Sequence, residues 1–218
     1  MTRLLALPLL PLLAACASTP PPDRTSFLDA LTSHCGMAYE GRLVSEDPRD
    51  ADWQGKRMIA HWASCEDGAP VAIALHMEDA EAPGGWDRSR TWLIEDPQQV
   101  LALDPAVEAP LVLRHDHRHA DGKPDEVTMY GGTAQASAST LTGAIDFPVD
   151  PATIALFERE GLDASTTNVW RIEVDPAGMP DARFAYQLTR ANDPTRIFRV
   201  EFDLSTPVPP PPPAWGHE

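Results

Sequence analysis

Residues 198–204 alternate without a break, with Phe198, Val200, Phe202 and Leu204 on one side and Arg199, Glu201 and Asp203 on the other. This period of two limits the fold more than any other feature of the chain. In a β-strand successive side chains point to opposite faces. A helix, at 3.6 residues per turn, would scatter the same apolar residues around its circumference. A chain written this way must build sheet with one dry and one wet face. The period recurs upstream, where Val71, Ile73, Leu75 and Met77 alternate with Ala72, Ala74 and His76. Met58, Ala60 and Trp62 share one face of 56–63; Asn168, Trp170, Ile172 and Val174 share another, and Phe184, Tyr186 and Leu188 a third. Residues 37–44 also read as a strand, and 90–95 and 99–103 as short strands around an Asp96-Pro97 turn. Residues 111–119 and 126–130 read as a hairpin across the turn 120–125. Residues 134–142, mostly Ala, Ser and Thr, read as a loop.

Two stretches take the helical period. Phe27, Leu28 and Leu31, with Asp23 or Thr25 as cap and Gly36 as stop, predict a short helix near the start. Asp150-Pro151 predicts a second, because Asp caps, Pro suits the first helical position, and Ile154, Leu156 and Phe157 supply an apolar side that ends at Gly161. Nine or ten strands without a strand–helix–strand rhythm argue against a parallel sheet. The expected fold is mainly β: a single antiparallel β-barrel, calycin-like in architecture, or a sandwich, with two short helices. A chain of 218 residues, 43% hydrophobic, can bury one such core. Its net charge of −16 argues against nucleic acid as a partner, since phosphate contacts need Lys and Arg that acidic residues here outnumber 33 to 17.

The first residues carry an address. Arg3 precedes an apolar run over 4–13, which as a helix would rise only ~15 Å, about half a bilayer core. The run leads into Leu13-Ala14-Ala15-Cys16, which resembles the lipobox of bacterial lipoproteins. The resemblance implies a signal peptide over 1–15, cleavage before Cys16, a diacylglycerol thioether on the Cys16 sulfur, and a palmitate-type acyl chain on the new amine. Several acyl chains anchor durably where one does not. Ala17 stands where an Asp retains enterobacterial lipoproteins in the inner membrane. The resemblance therefore implies the outer membrane, at its periplasmic face. Residues 16–22 would be the lipidated cysteine and its tether, 23–204 a single β-rich domain, and 205–218, with the run Pro209 to Pro213, a Pro-rich disordered tail.

Two further cysteines remain, Cys35 and Cys65. In the oxidising compartment that the address implies, they are expected as a disulfide closing a loop of about 30 residues. The alternative is a Cys/His metal site with His34 or His61, which no CxxC motif supports.

Arg114-His115-Asp116-His117-Arg118-His119 is the one cluster with evident chemistry. On a strand, His115, His117 and His119 share a face with Leu111 and Leu113, with neighbouring imidazoles ~6–7 Å apart. Two of them could hold a transition metal, with Asp121 or Glu126 completing the set. The plainer reading is a polar hairpin rim with Arg114, Asp116 and Arg118 paired on the opposite face. Tyr39, Trp62, Trp92 and Trp170 either line a cavity or fill the core. No GxSxG, HExxH or Gly-rich phosphate loop is present.

The segments CGMAYEGRLVSEDP, LRHDHRHADG, VTMYGG and LFEREGLDASTTNVW resemble those of a family of uncharacterised proteobacterial secreted proteins and lipoproteins. The resemblance spans most of 27–204 and implies one exported domain without implying an activity. The leading expectation is a non-catalytic, lipid-anchored barrel that binds a small ligand. The alternatives are a metal-binding protein or metalloenzyme built on His115, His117 and His119, and an envelope scaffold that uses the acidic surface and the Pro-rich tail.

Overall fold

The computed structural model describes residues 24–101, 109–134 and 143–217. The signal segment 1–15, the lipobox Cys16 and the tether to residue 22 lie outside these, as does most of the 134–142 loop. Among the described residues, ten strands form one antiparallel sheet: β1 (Ala38–Leu43), β2 (Met58–Ser64), β3 (Val71–Glu78), β4 (Trp86–Glu95), β5 (Val112–His117), β6 (Tyr130–Thr133), β7 (Ala144–Pro148), β8 (Asn168–Val174), β9 (Arg183–Arg190) and β10 (Asp193–Pro207). Except for β6 and β7, each strand pairs with its neighbours in sequence, and β10 returns to pair with β1. The mainly β, barrel-like expectation therefore holds: the sheet is an up-and-down barrel, nearly closed.

The seam lies between β6 and β7. It is bridged where Gly132 meets Val149 and where the Asp150 N–H donates to the Gly131 carbonyl at 3.3 Å. Strand approach here requires glycine, since a Cβ on Gly132 would stand 2.3 Å from the Pro148 carbonyl oxygen. Helix α3 (Pro151–Arg159) covers the seam from the predicted Asp150-Pro151 start; α1 (Arg24–Thr32) and α2 (Pro97–Val100) are the other two helices. The Asp150 side chain accepts from the Thr153 N–H, and the Thr153 hydroxyl accepts from the Gly131 N–H at 2.8 Å, so one cap joins helix to strand.

The predicted inward faces are the buried ones. Trp62, Trp170, Tyr39, Phe147, Phe184 and Phe202 fill the barrel as part of one continuous core. Truncating such an aromatic is expected to cost about 3–5 kcal/mol. One end is closed by Phe27 and Leu31 of α1 and by the predicted disulfide Cys35–Cys65, whose Cα atoms are 5.9 Å apart. Beside it His34 is buried, bonded to the Tyr39 hydroxyl at 2.9 Å and the Asp175 carbonyl at 2.8 Å. It serves the core, and Cys35 and Cys65 spend their sulfurs on each other, so this corner holds no Cys/His metal set.

Four local expectations are corrected. Residues 97–100 are helical, because Asp96 caps the Gln98 N–H with Pro97 at the first position, the same device that starts α3. The partner of β5 starts at Tyr130, not 126: Met129 takes φ +55°, which breaks strand geometry just before it. β7 escapes the periodicity because it is five residues long and ends in Pro148.

The fourth concerns 205–218, expected as a disordered tail. Residues 205–207 extend β10, and the described residues beyond it cross the outside of the barrel. The Val208 N–H donates to the Ala38 carbonyl of β1, the Arg88 guanidinium of β4 donates to the Pro213 carbonyl, and the Trp215 N–H donates to the Arg88 carbonyl. His217 reaches Asp116 of β5 at 2.8 Å. Extended polyproline rises ~3.1 Å per residue, enough here to pass over β2 and β3. The outward-pointing Ile59 of β2, Ala74 and His76 of β3 and Thr91 of the adjoining β4 are buried. A polyproline run needs no ladder partners of its own, so it can lie across strands as a strap.

Candidate ligand cleft at the barrel mouth

The end opposite α1 is open. It is framed by the one-turn helices Pro48–Trp53 and Asp163–Ser165, by α3, and by the mouth ends of β4, β5, β6, β8, β9 and β10. Two adjoining concavities occupy it and share His117, Tyr130, Tyr186 and Leu188. The inner one is about 160 Å³ and the outer about 430 Å³, and the outer alone is within the usual range of small-molecule sites. A larger groove of about 580 Å³ lies outside the barrel across β1 and β10, but charged side chains such as Glu40, Arg42, Arg183 and Glu201 border it.

The cleft has an aromatic floor. Tyr186 stacks on Trp92 with centroids 4.6 Å apart, and Tyr130 stacks on His115, also at 4.6 Å. Trp170 lies 5.1 Å from His115 and Phe157 lies 5.3 Å from Tyr130. Trp92 and Trp170 thus border the cleft, whereas Tyr39 and Trp62 are core.

A buried hydrogen-bond chain fixes these rings. His115 Nδ1 faces the Tyr130 carbonyl at 3.1 Å, so it must carry the proton; Nε2 then accepts from the Tyr186 hydroxyl at 2.8 Å. His117 Nε2 meets the Tyr130 hydroxyl at 3.1 Å. Burial first, and the neighbouring His117 second, push the His115 pKa down to about 3; burial and the Arg90 charge push His117 to about 4. Burial raises Tyr130 to about 12 and Tyr186 well above its ordinary value. At neutral pH the whole chain is uncharged.

This geometry corrects the three-histidine reading. Both His115 ring nitrogens are committed to protein partners, His117 sits at the strand end, and His119 lies beyond it on the exposed turn. Asp121 is paired with Lys123. Among the described residues no group of three or more His, Cys, Asp or Glu side chains is arranged to hold a metal ion. The Ser165 hydroxyl meets the Arg190 guanidinium at 3.3 Å. An aromatic floor with fixed polar groups at its rim is an arrangement able to bind a small molecule.

Arginines rim the cleft. Arg196 makes a buried bidentate pair with Asp50, at 2.6 and 2.8 Å, which ties the Pro48–Trp53 turn to β10 and seats Trp53 against Phe198. Arg90 is paired with Asp87 and lies over Trp53 at 5.1 Å. Arg190 ends β9. The sequence reading named none of these three, nor Tyr130 and Tyr186 as site residues. The signal was present in the 184–186–188 face, since one further step of two reaches Arg190. No family model, curated protein or solved structure matches the chain, so its likeness to other proteins adds nothing to this geometry.

Proposed function

We propose that this protein is a non-catalytic, lipid-anchored barrel that holds a small ligand in its mouth cleft. The observation that carries the reading is the aromatic floor, held in place by the uncharged Tyr186–His115–Tyr130–His117 chain beneath a concavity of about 430 Å³. Rigid, preorganised apolar walls with a few fixed polar groups are what a ligand site needs and what a purely structural core does not leave open. The lipobox supports an anchor at Cys16, and Ala17 supports the periplasmic face of the outer membrane.

Two measurements test the reading. N-phenyl-1-naphthylamine, a neutral dye that brightens in apolar surroundings, is expected to brighten with the parent protein and to lose that response in Leu188→Trp, which fills the cleft. An equal response from both proteins, or none from the parent, overturns the cleft. Labelling cells with radioactive palmitate is expected to mark the parent and not Cys16→Ser; an unlabelled parent overturns the anchor.

A further inference from the structure

Three arginines face the cleft, and their partners differ. Arg196 is neutralised by Asp50 and Asp47, and Arg90 by Asp87. Arg190 has no carboxylate within 4.0 Å among the described residues. Its Nε–H donates to the Asn168 side-chain oxygen at 3.1 Å and one Nη2–H to the Ser165 hydroxyl at 3.3 Å. A guanidinium has five N–H donors in a fixed fork, so three remain unspent. The two neutral acceptors hold the fork in place without cancelling its charge.

The surroundings make that charge uncomfortable. Partial burial, together with the positive charges of Arg196 and Arg49, lowers the Arg190 pKa against the weaker opposing pull of Asp193 and Asp47, whose carboxylates are paired with Arg49 and Arg196. A cation placed this way gains more from an arriving anion than one already paired. Asp125 borders the same concavity from the β5–β6 side, where its backbone N–H bonds the His117 carbonyl. It disfavours an anion there, so the negative end of a ligand is steered to the β8–β9 side. Between the two charges lie Tyr130, Trp170 and Leu188.

Resting on the cleft reading above, we propose that the ligand is a small amphipathic carboxylic acid, its apolar body on the Tyr130–Trp170 floor and its carboxylate on the free fork of Arg190. Planar carboxylate geometry matches the fork bidentately. A single free cation facing one opposing carboxylate suits a monoanion better than a dianionic phosphate.

A matched pair of probes separates the charge from the body. 2-Naphthoic acid and neutral 2-naphthamide share one ring system and differ in the carboxylate. In NMR titrations of the full folded chain at pH 7.5, naphthoate is expected to bind at least tenfold tighter than naphthamide and to shift the Arg190 Nε–H resonance. Arg190→Gln is expected to erase that preference, bringing the two probes to within twofold of each other. Arg190→Lys, which keeps charge but loses the fork, is expected to retain only part of it, and Asp125→Asn to tighten naphthoate severalfold. Equal affinity for the two probes, or a preference that survives in Arg190→Gln, overturns the carboxylate assignment and leaves the cleft standing. Failure of both probes to bind the parent overturns the cleft itself. Should Arg190→Gln fail to fold, the Arg190→Lys and Asp125→Asn ratios decide.

Discussion

Replacing Cys35 and Cys65 together by serine removes the crosslink without leaving a lone thiol. The bond closes a loop with a sequence separation of 30, containing β1, the Pro48–Trp53 turn and β2. In the chain-entropy model that loop corresponds to about −12 cal/mol/K, or about 3.6 kcal/mol at 25 °C, taken from the unfolded ensemble. The serines themselves cost little, since Cys65 packs only at the edge of the core. With a urea m-value of about 2 kcal/mol/M for a domain of this size, the midpoint should fall by about 1.8 M. The melting temperature should fall by about 7–14 °C. Equilibrium urea unfolding of both proteins, read by tryptophan fluorescence, gives midpoint and slope together. The slope should rise slightly in the variant, because an uncrosslinked unfolded chain is more expanded. A midpoint within about 0.5 M of the parent, at equal slope, would refute the claim that this crosslink restrains the unfolded state.

Three other outcomes are expected. His76, His115 and His117 have folded pKa values of about 4, 3 and 4, below their ordinary 6.5, chiefly through burial. Their neutral forms are the folded ones, so stability is fully present above pH ~6.5 and is lost as pH falls from there toward ~4, at up to about 1.4 kcal/mol per pH unit for each histidine. A urea midpoint unchanged between pH 7.5 and 5 contradicts this. Asp50→Ala removes the bidentate partner of Arg196 and leaves it only Asp47 at 3.1 Å, which should cost about 1.5–3 kcal/mol; a denaturation midpoint like the parent's would show that the pair is dispensable. Ending the chain at residue 207 removes the strap over the outward face of β2 and β3, so the His76 pKa read by NMR should climb from about 4 toward 6.5, and a value that stays near 4 counts against the strap.

Much of the barrel was legible because most of its strands alternate between a dry inner and a wetter outer face, although parts of β2, β3 and β4 are buried on both. β2, β3, β8, β9 and β10 each carry an unbroken apolar alternation, and the interior keeps those residues. Legibility failed where another constraint replaced period two. At 97–100 the capping chemistry of Asp96 outweighed an apolar count, and at 126–129 a left-handed Met129 deferred the strand. The tail misled because a proline run is silent about what it lies against. The site was less legible than the fold. The histidine motif drew attention to β5, but the cleft is assembled from strand ends far apart in sequence, and Arg190 became notable only once its lack of a carboxylate partner was visible.

The pairing of β10 with β1 has a consequence for how this molecule comes into being. β1 must wait for β10, so the sheet stays in two parts until the residues after 193 have been delivered. Until then β1 and β9 both offer bare backbone donors and acceptors to any neighbour, the geometry from which edge-to-edge aggregates grow. Such distant pairings also close slowly. A product terminated before residue 193 would keep the β1 and β9 borders unpaired for its whole lifetime.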